Sequence, residues 1–180
     1  GQIFEMNQRR VKKEVTKVGD VVTEVIDRIK KAAQQEGGFT GLRTSFTKLD
    51  QMTNGWQPST LNIIAARPAM GKTAFVLSMA KNMAVDHKYP VAIFSLEMSN
   101  LELVNRLVIN ASEIEGEKIK SGRLSTQEWE QLYTKTKCIN EAPIFIDDTA
   151  NISVSELTTK ARRLKSEHDI QCIIIDYLQL

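Results

Sequence analysis

Lys72 and Thr73, adjacent and directly behind Gly71, pair an ammonium with a hydroxyl, the groups that grip a polyphosphate and its metal ion. They close the stretch Leu61 to Thr73, LNIIAARPAMGKT, in which an apolar run (Leu61, Ile63, Ile64, Ala65) leads into a tight polar turn. A second apolar run, Ala74-Phe75-Val76-Leu77, follows and reads as the start of a helix. Strand, turn and helix in that order bring backbone N–H groups and a helix N-terminus around an anion, above all the phosphates of a nucleotide. The cradle is then Ala66, Arg67, Pro68, Ala69, Met70, Gly71, Lys72, Thr73 and Ala74. Lys72 is expected against the β- and γ-phosphates and the Thr73 hydroxyl on Mg²⁺. Gly-Lys-Thr alone is a weak signal; its setting between two apolar runs gives it weight. One position departs from the G-x-x-x-x-G-K-T pattern, since Ala66 stands where the first glycine is usual. A small residue fits there if the turn does not need positive φ.

Two carboxylates fall where they can serve such a cradle. Asp176 follows Ile173-Ile174-Ile175, the pattern of an aspartate that holds Mg²⁺ at the end of a buried strand. An Asp capping a loop or helix start is the competing reading, and the upstream loop favours the metal. Glu97 follows Phe94-Ser95-Leu96 and is a candidate general base for the water that attacks the γ-phosphate. It reads equally well as a solvated Glu just outside a helix. Arg67 suits a phosphate, a neighbour or plain solvent. Asp147-Asp148 before Thr149 is either a ligand pair or turn chemistry. The run Arg162-Arg163-Leu164-Lys165 reads as a solvated helix face rather than a nucleic-acid patch. His87 and His168 have no partners at ligand spacing.

These residues need elements to hold them. A helix is expected from about Gly71 to Val85, with Tyr89-Pro90 as a break. Val91 to Leu96, VAIFSL, is a near-continuous apolar run, as in a parallel strand covered on both faces. Ser99-Asn100-Leu101-Glu102 and Ser125-Thr126-Gln127-Glu128 are capping boxes, and Ser153-Val154-Ser155-Glu156 repeats the device. Ile144-Phe145-Ile146 and Cys172-Ile173-Ile174-Ile175 are further strands. Strands alternating with helices predict an α/β fold, a mostly parallel sheet with helices on both faces, with ligands at the carboxyl ends of the strands.

Upstream, residues 39–60 are rich in turns, with Asn54-Gly55 ahead of the loop strand. Residues 1–38 differ. Val11, Val15, Val18, Val22, Val25, Ile29 and Ala32 recur at spacings of four and three, the seam of an amphipathic helix. Gly19 is expected to interrupt it, Asp20 to start a helix to Gln35 or Glu36, and Gly37-Gly38 to stop it. Such a helix either packs on its own domain or docks on a neighbouring subunit; the flanking glycines favour an arm. The expected division is thus 1–38 as linker or arm and 39–180 as the nucleotide-binding domain.

Composition constrains the rest. With 42% hydrophobic and 26% charged residues in 180, the chain resembles an ordinary soluble globular protein. A net charge of +2 is too small to argue for nucleic acid by itself. Cys138 and Cys172 stand far apart with no metal-ligand spacing, so buried free thiols in a reducing compartment are expected. The lack of a long apolar run or signal pattern leads to the expectation of a cytoplasmic protein. Gly1 in place of an initiator Met suggests a piece of something longer.

Taken together, GLRTSFTKLDQMTNGW, AARPAMGKTAF, IFSLEM, IFIDDT and IIIDYLQL resemble the bacterial replicative DNA helicases of DnaB type, in the RecA-like superfamily of P-loop NTPases. The likeness runs over almost the whole chain, including the amphipathic arm, which resembles the family's interdomain linker. Alanine at the first loop position is usual there. The resemblance implies a hexameric motor that hydrolyses ATP with Mg²⁺ and encircles single-stranded DNA at the replication fork, working with primase and a helicase loader. It implies that Lys72 and Thr73 bind phosphates and Mg²⁺, that Glu97 is the catalytic base, and that Asp176 is the Walker B acid. It also implies that the sensor strand, the DNA-binding loops and the arginine finger lie beyond Leu180, and that a later strand belongs between the Walker A and Walker B strands. The sheet is therefore expected to be incomplete, and the 180 residues to bind nucleotide without unwinding DNA. Rival readings are a RecA-like recombinase, or a regulator or loader that binds ATP without acting as a motor.

Overall fold

Val91–Ser95 is the middle strand of the sheet: every residue of this strand, β1, is buried. The computed structural model describes residues 17–34 and 39–177. Two parallel strands flank β1, Ile144–Asp147 (β2) and Cys172–Asp176 (β3), in the order β2-β1-β3. Val91 lies opposite both Ile144 and Cys172, and Ser95 opposite Asp176. The alternation of a strand sends its side chains to two faces. Val91 and Ile93 pack with Val76, Met83, Leu103 and Leu107, whereas Ala92 and Phe94 pack with Ile170, Leu157 and Leu164.

Helices supply both faces, as the apolar runs predict. The helix after the loop, and those of the β1–β2 connection, form one layer. Among the described residues these and their neighbours number in chain order as α1 (Val18–Gln34), α2 (Thr47–Thr53), α3 (Lys72–Asp86), α4 (Asn100–Ser112), α5 (Gly116–Ser121), α6 (Thr126–Asn140) and α7 (Val154–His168). α3 buries Val76, Leu77, Met79, Ala80, Met83 and Ala84, and α7 covers the opposite face of the sheet. Ser99 and Glu102 form a reciprocal capping box on α4, and Ser125 and Glu128 form one on α6. Ser153 accepts from the Glu156 N–H at the start of α7. Each such cap contributes about 1 kcal/mol by satisfying donors that a helix start leaves open.

The strand expected at Leu61–Ala65 does not form. Residues 61–67 carry no strand assignment, and Leu61 and Ile63 are 86% and 83% exposed. The physical reason is the missing ladder. A strand persists through backbone pairing at about 4.8 Å, and β3 is an edge of the sheet among the described residues. Between that edge and the Leu61–Ala66 segment lies a cavity of about 740 Å³, lined by both.

A tight buckle precedes this segment. Leu42 and Trp56 form an antiparallel bridge, and a Cβ built on Gly41 or Gly55 would lie within 2.7 Å of the other's backbone. Only glycine permits that approach. Inside the buckle, Asp50, 2% exposed, accepts from the Thr44 N–H and hydroxyl and from the Ser45 N–H. Phe46 stacks on Phe75 at 4.9 Å between centroids, which fastens the buckle to α3.

Residues 1–40 form a unit separate from 41–180. In it α1 exposes Val18, Val21, Val22, Val25, Ile26 and Ile29. Gly19 does not interrupt this helix; it is the second residue, where glycine costs less than in the interior. Val11, Val15 and the stop expected at Gly37-Gly38 lie outside the described residues.

Candidate nucleotide-binding site

The carboxyl end of β3 meets the start of α3. Asp176 joins them through both of its oxygens: Oδ1 lies 2.9 Å from Lys72 Nζ, and Oδ2 accepts from the Thr73 hydroxyl at 2.7 Å. Residues 103 positions apart therefore share one carboxylate. The Asp176 side chain is 8% exposed and that of Lys72 26%. A charge so buried persists only when paired, and here it has an ammonium and a hydroxyl. Lys72 Nζ also stands 3.7 Å above the ring centroid of Tyr177.

The loop's shape follows from two left-handed residues. Ala69 has φ 62° and Gly71, the N-cap of α3, φ 84°. Arg67 accepts from the Met70 N–H at 3.2 Å, closing a turn, and the Phe75 N–H donates to Gly71 at 2.9 Å, opening the helix. The N–H groups of Lys72, Thr73 and Ala74 thus precede any intrahelical carbonyl that could take them, and they carry the positive end of the helix dipole. Ala66, Arg67, Pro68, Ala69 and Met70 are exposed, so this rim faces solvent. The expectation that Ala66 needs no positive φ holds: it is absent from the left-handed residues.

The donor set suits a hard divalent ion. Two cis ligands of an octahedral Mg²⁺ with bonds of 2.0–2.1 Å stand about 2.9 Å apart. Thr73 Oγ1 and Asp176 Oδ2 are 2.7 Å apart. Among the described residues no group of three His, Cys, Asp or Glu side chains is placed to hold a metal.

Glu97 is exposed, two residues past Ser95, the residue opposite Asp176. A small turn sets it there. Buried Ser95 donates its hydroxyl to the Met98 carbonyl at 2.7 Å and accepts the Met98 N–H at 3.1 Å. The carboxylate that caps α4 is Glu102, not Glu97. Glu97 therefore stands on the rim to which β1 and β3 deliver their ends.

The other polar candidates do structural work. Asp147 accepts from the Thr149 N–H and pairs with Lys160 at 2.8 Å. Burial raises its pKa, but the bonds from Lys160 and Thr149 outweigh burial and hold it below the usual carboxylate value. Asp148 accepts the Asn100 N–H at the start of α4. A turn and an ion pair occupy Asp147, and a helix start occupies Asp148. Arg162, Arg163 and Lys165 are exposed on α7 while Leu164 packs inward, the solvated face expected from the sequence. His87 contacts the Ser45 hydroxyl at 3.0 Å, and His168 stacks on Phe145. Both cysteines are free but half-buried rather than buried; desolvation pushes the Cys172 thiol up to about 11.

Two residues of the site escaped the sequence reading. Tyr177 had a signal, its place directly after Asp176, but its proximity to Lys72 is a property of the fold. Ser95 had none, since a serine ending an apolar run looks like any strand terminus.

Comparison with known proteins places the chain in a family. Residues 41–180 match the family model of the DnaB-like helicase C-terminal domain. The chain is 41% identical over 179 residues to the replicative DNA helicase DnaB of Geobacillus stearothermophilus, covering 99% of this chain and 39% of that protein. It is 42% identical over 181 residues to DnaB of Nostoc sp. (strain PCC 7120 / SAG 25.82 / UTEX 2576), of which it covers 20%. Among solved structures, one described as an ATPase domain superposes with a TM-score of 0.83 at 36% identity, over 92% of this chain and 58% of that one. A DnaB-like replicative helicase solved for its interactions with primase gives a TM-score of 0.76 at 34% identity, over 89% and 42% of the two chains. With a parallel sheet, helices on both faces and a loop-to-helix turn beneath a strand-end aspartate, the chain belongs to the DnaB-like helicase C-terminal domain family.

Proposed function

We propose that this chain forms part of an ATP-driven replicative helicase motor. It binds ATP with Mg²⁺ and contributes to hydrolysis, which the whole protein uses to translocate on single-stranded DNA and unwind duplex at the replication fork. The observation that carries this reading is the single carboxylate of Asp176 on both Lys72 and Thr73. It gathers an ammonium, a hydroxyl and an acid at the foot of a helix, the set that a triphosphate and its metal require.

In this reading the backbone from Ala66 to Ala74 wraps the phosphates, with donors from the first turn of α3. Lys72 lies along the β- and γ-phosphate oxygens and offsets charge that builds during transfer. Thr73 and Asp176 would hold Mg²⁺, whose charge would offset that of the phosphates. Glu97 orients a water and takes its proton as the oxygen attacks the γ-phosphorus, and the bond to the β,γ-bridging oxygen breaks to release ADP. The chain spans 39% and 20% of the helicases named above, so unwinding belongs to a longer assembly. We assign that assembly as a cytoplasmic homo-hexamer that meets primase and a loader. The primase contact is supported by the structural relative solved with it. No helix among the described residues is long and apolar enough to cross a membrane.

Replacing Glu97 by Gln tests the chemistry. ATP turnover should fall by about 10²-fold or more while fluorescent-nucleotide binding survives. A chain that shows no ATP-dependent thermal shift at all would remove the nucleotide reading. Unwinding by residues 1–180 alone would overturn the division between this piece and the full motor.

A further inference from the structure

Lys72 is held by more than Asp176. Its ammonium stands 2.9 Å from the carboxylate and 3.7 Å above the centre of the Tyr177 ring, well within the roughly 6 Å over which an aromatic face attracts a cation. The two groups are consecutive in sequence, so one strand end supplies both. Only about a quarter of the Lys72 side chain is exposed, at 26%, so water screens the contact incompletely.

We propose that Tyr177 is a positioning residue for Lys72. Its ring and the Asp176 carboxylate form a berth for the ammonium, and a triphosphate acquires Lys72 only by drawing it out of that berth. This rests on the nucleotide reading above. The berth sets the starting point from which nucleotide binding is measured. A stronger berth weakens affinity, and a weaker one raises it, because the contact is lost as Lys72 turns to phosphate. The berth uses the aromatic face, which Phe keeps, so Tyr177→Phe should retain the hold on Lys72.

A cation over a ring is worth about twofold in an equilibrium at an exposed site and up to about thirtyfold when desolvated. At the exposure of Lys72, removing the ring should shift affinity by about three- to tenfold. The test titrates ATP with Mg²⁺ into the 180-residue chain and its Tyr177→Leu and Tyr177→Phe variants. It also follows the Lys72 ε-CH₂ protons by NMR. The expected result is tighter binding in Tyr177→Leu and an unchanged affinity in Tyr177→Phe. A ring-current upfield shift of the Lys72 signals should be present in wild type and Tyr177→Phe, absent in Tyr177→Leu, and lost on saturation with ATP.

Equal or weaker binding in a folded Tyr177→Leu chain overturns the proposal. So does a wild-type Lys72 signal with no upfield shift, or one that keeps its shift at saturation; neither depends on the variant folding. If wild type binds no ATP, the nucleotide reading falls and the competition falls with it. Nucleotide binding with an unshifted Lys72 would instead sink the berth alone.

Discussion

Leu61–Ala65 and Val91–Ser95 read alike in sequence, yet one is an unpaired segment exposed at all but Ile64, and the other a fully buried strand. Both are short apolar runs next to turn residues, and both end at the rim that carries the site. The difference lies in their neighbours. Val91–Ser95 has a parallel partner on each side, while the cavity beside Leu61–Ala66 separates it from the edge of β3. Strand character is thus conferred by a partner and only invited by sequence.

The sharpest way to break the comparison is truncation in the two segments. Phe94→Ala should cost about 3–5 kcal/mol in denaturant unfolding, since Phe94 is 1% exposed and packed between layers. Ile63→Ala should stay within about 0.5 kcal/mol, as expected for an exposed side chain. A large loss at Ile63 would mean that the segment is paired after all.

Asp50→Ala comes next. The buckle it holds delivers the chain into Leu61–Ala65, and the change leaves the buried Thr44 donors and the exposed Ser45 N–H without that acceptor. We expect about 3 kcal/mol, read from the same unfolding curves, with no loss of sheet signal at moderate temperature. Gly71→Ala should cost about 1 kcal/mol. Its new Cβ would meet no atom within 4 Å, but φ is 84° there. A much larger cost would show the loop to be more tightly packed than the exposed segment beside it.

The smallest effect concerns the helix caps, which hold their elements without a strand's help. Glu128 is held down to about 2 by hydrogen bonds from Lys118 and then from the Ser125 N–H and hydroxyl. A carboxylate whose folded pKa lies below the unfolded 4.5 stabilises the fold fully above that value. The contribution is lost as pH falls from about 4.5 towards 2, and the first turn of α6 should fray over that window. An NMR titration of the Glu128 carboxyl carbon with a midpoint near 4.5 would count against it, and Glu128→Gln should abolish the pH dependence.

Much of this was legible in the chain. The burial of β1, the capping serines at 99, 125 and 153, and the aspartate ending β3 all follow from local pattern, because each is decided within a few residues. The solvated face of α7 is legible for the same reason. What escaped depends on distant parts of the chain. The pairing of Leu61–Ala65 needs a neighbour from elsewhere, and the ring of Tyr177 meets Lys72 across more than a hundred residues. Asp147 and Asp148 stood open in sequence because an acid that ligates and one that closes a turn are the same letter; Lys160 and Asn100 decided it.

The flank of β3, open among the described residues, has a practical side. Its backbone groups and half-exposed Ile173 face a wall of bare leucine and isoleucine. Neither Leu61–Ala66 nor Cys172–Ile175 carries a lysine or proline, the residues that usually keep such borders from sticking. Concentrated solutions of the chain are expected to associate through that flank, which light scattering would check. A single lysine at position 63 or 173 is the simplest remedy for keeping it monodisperse.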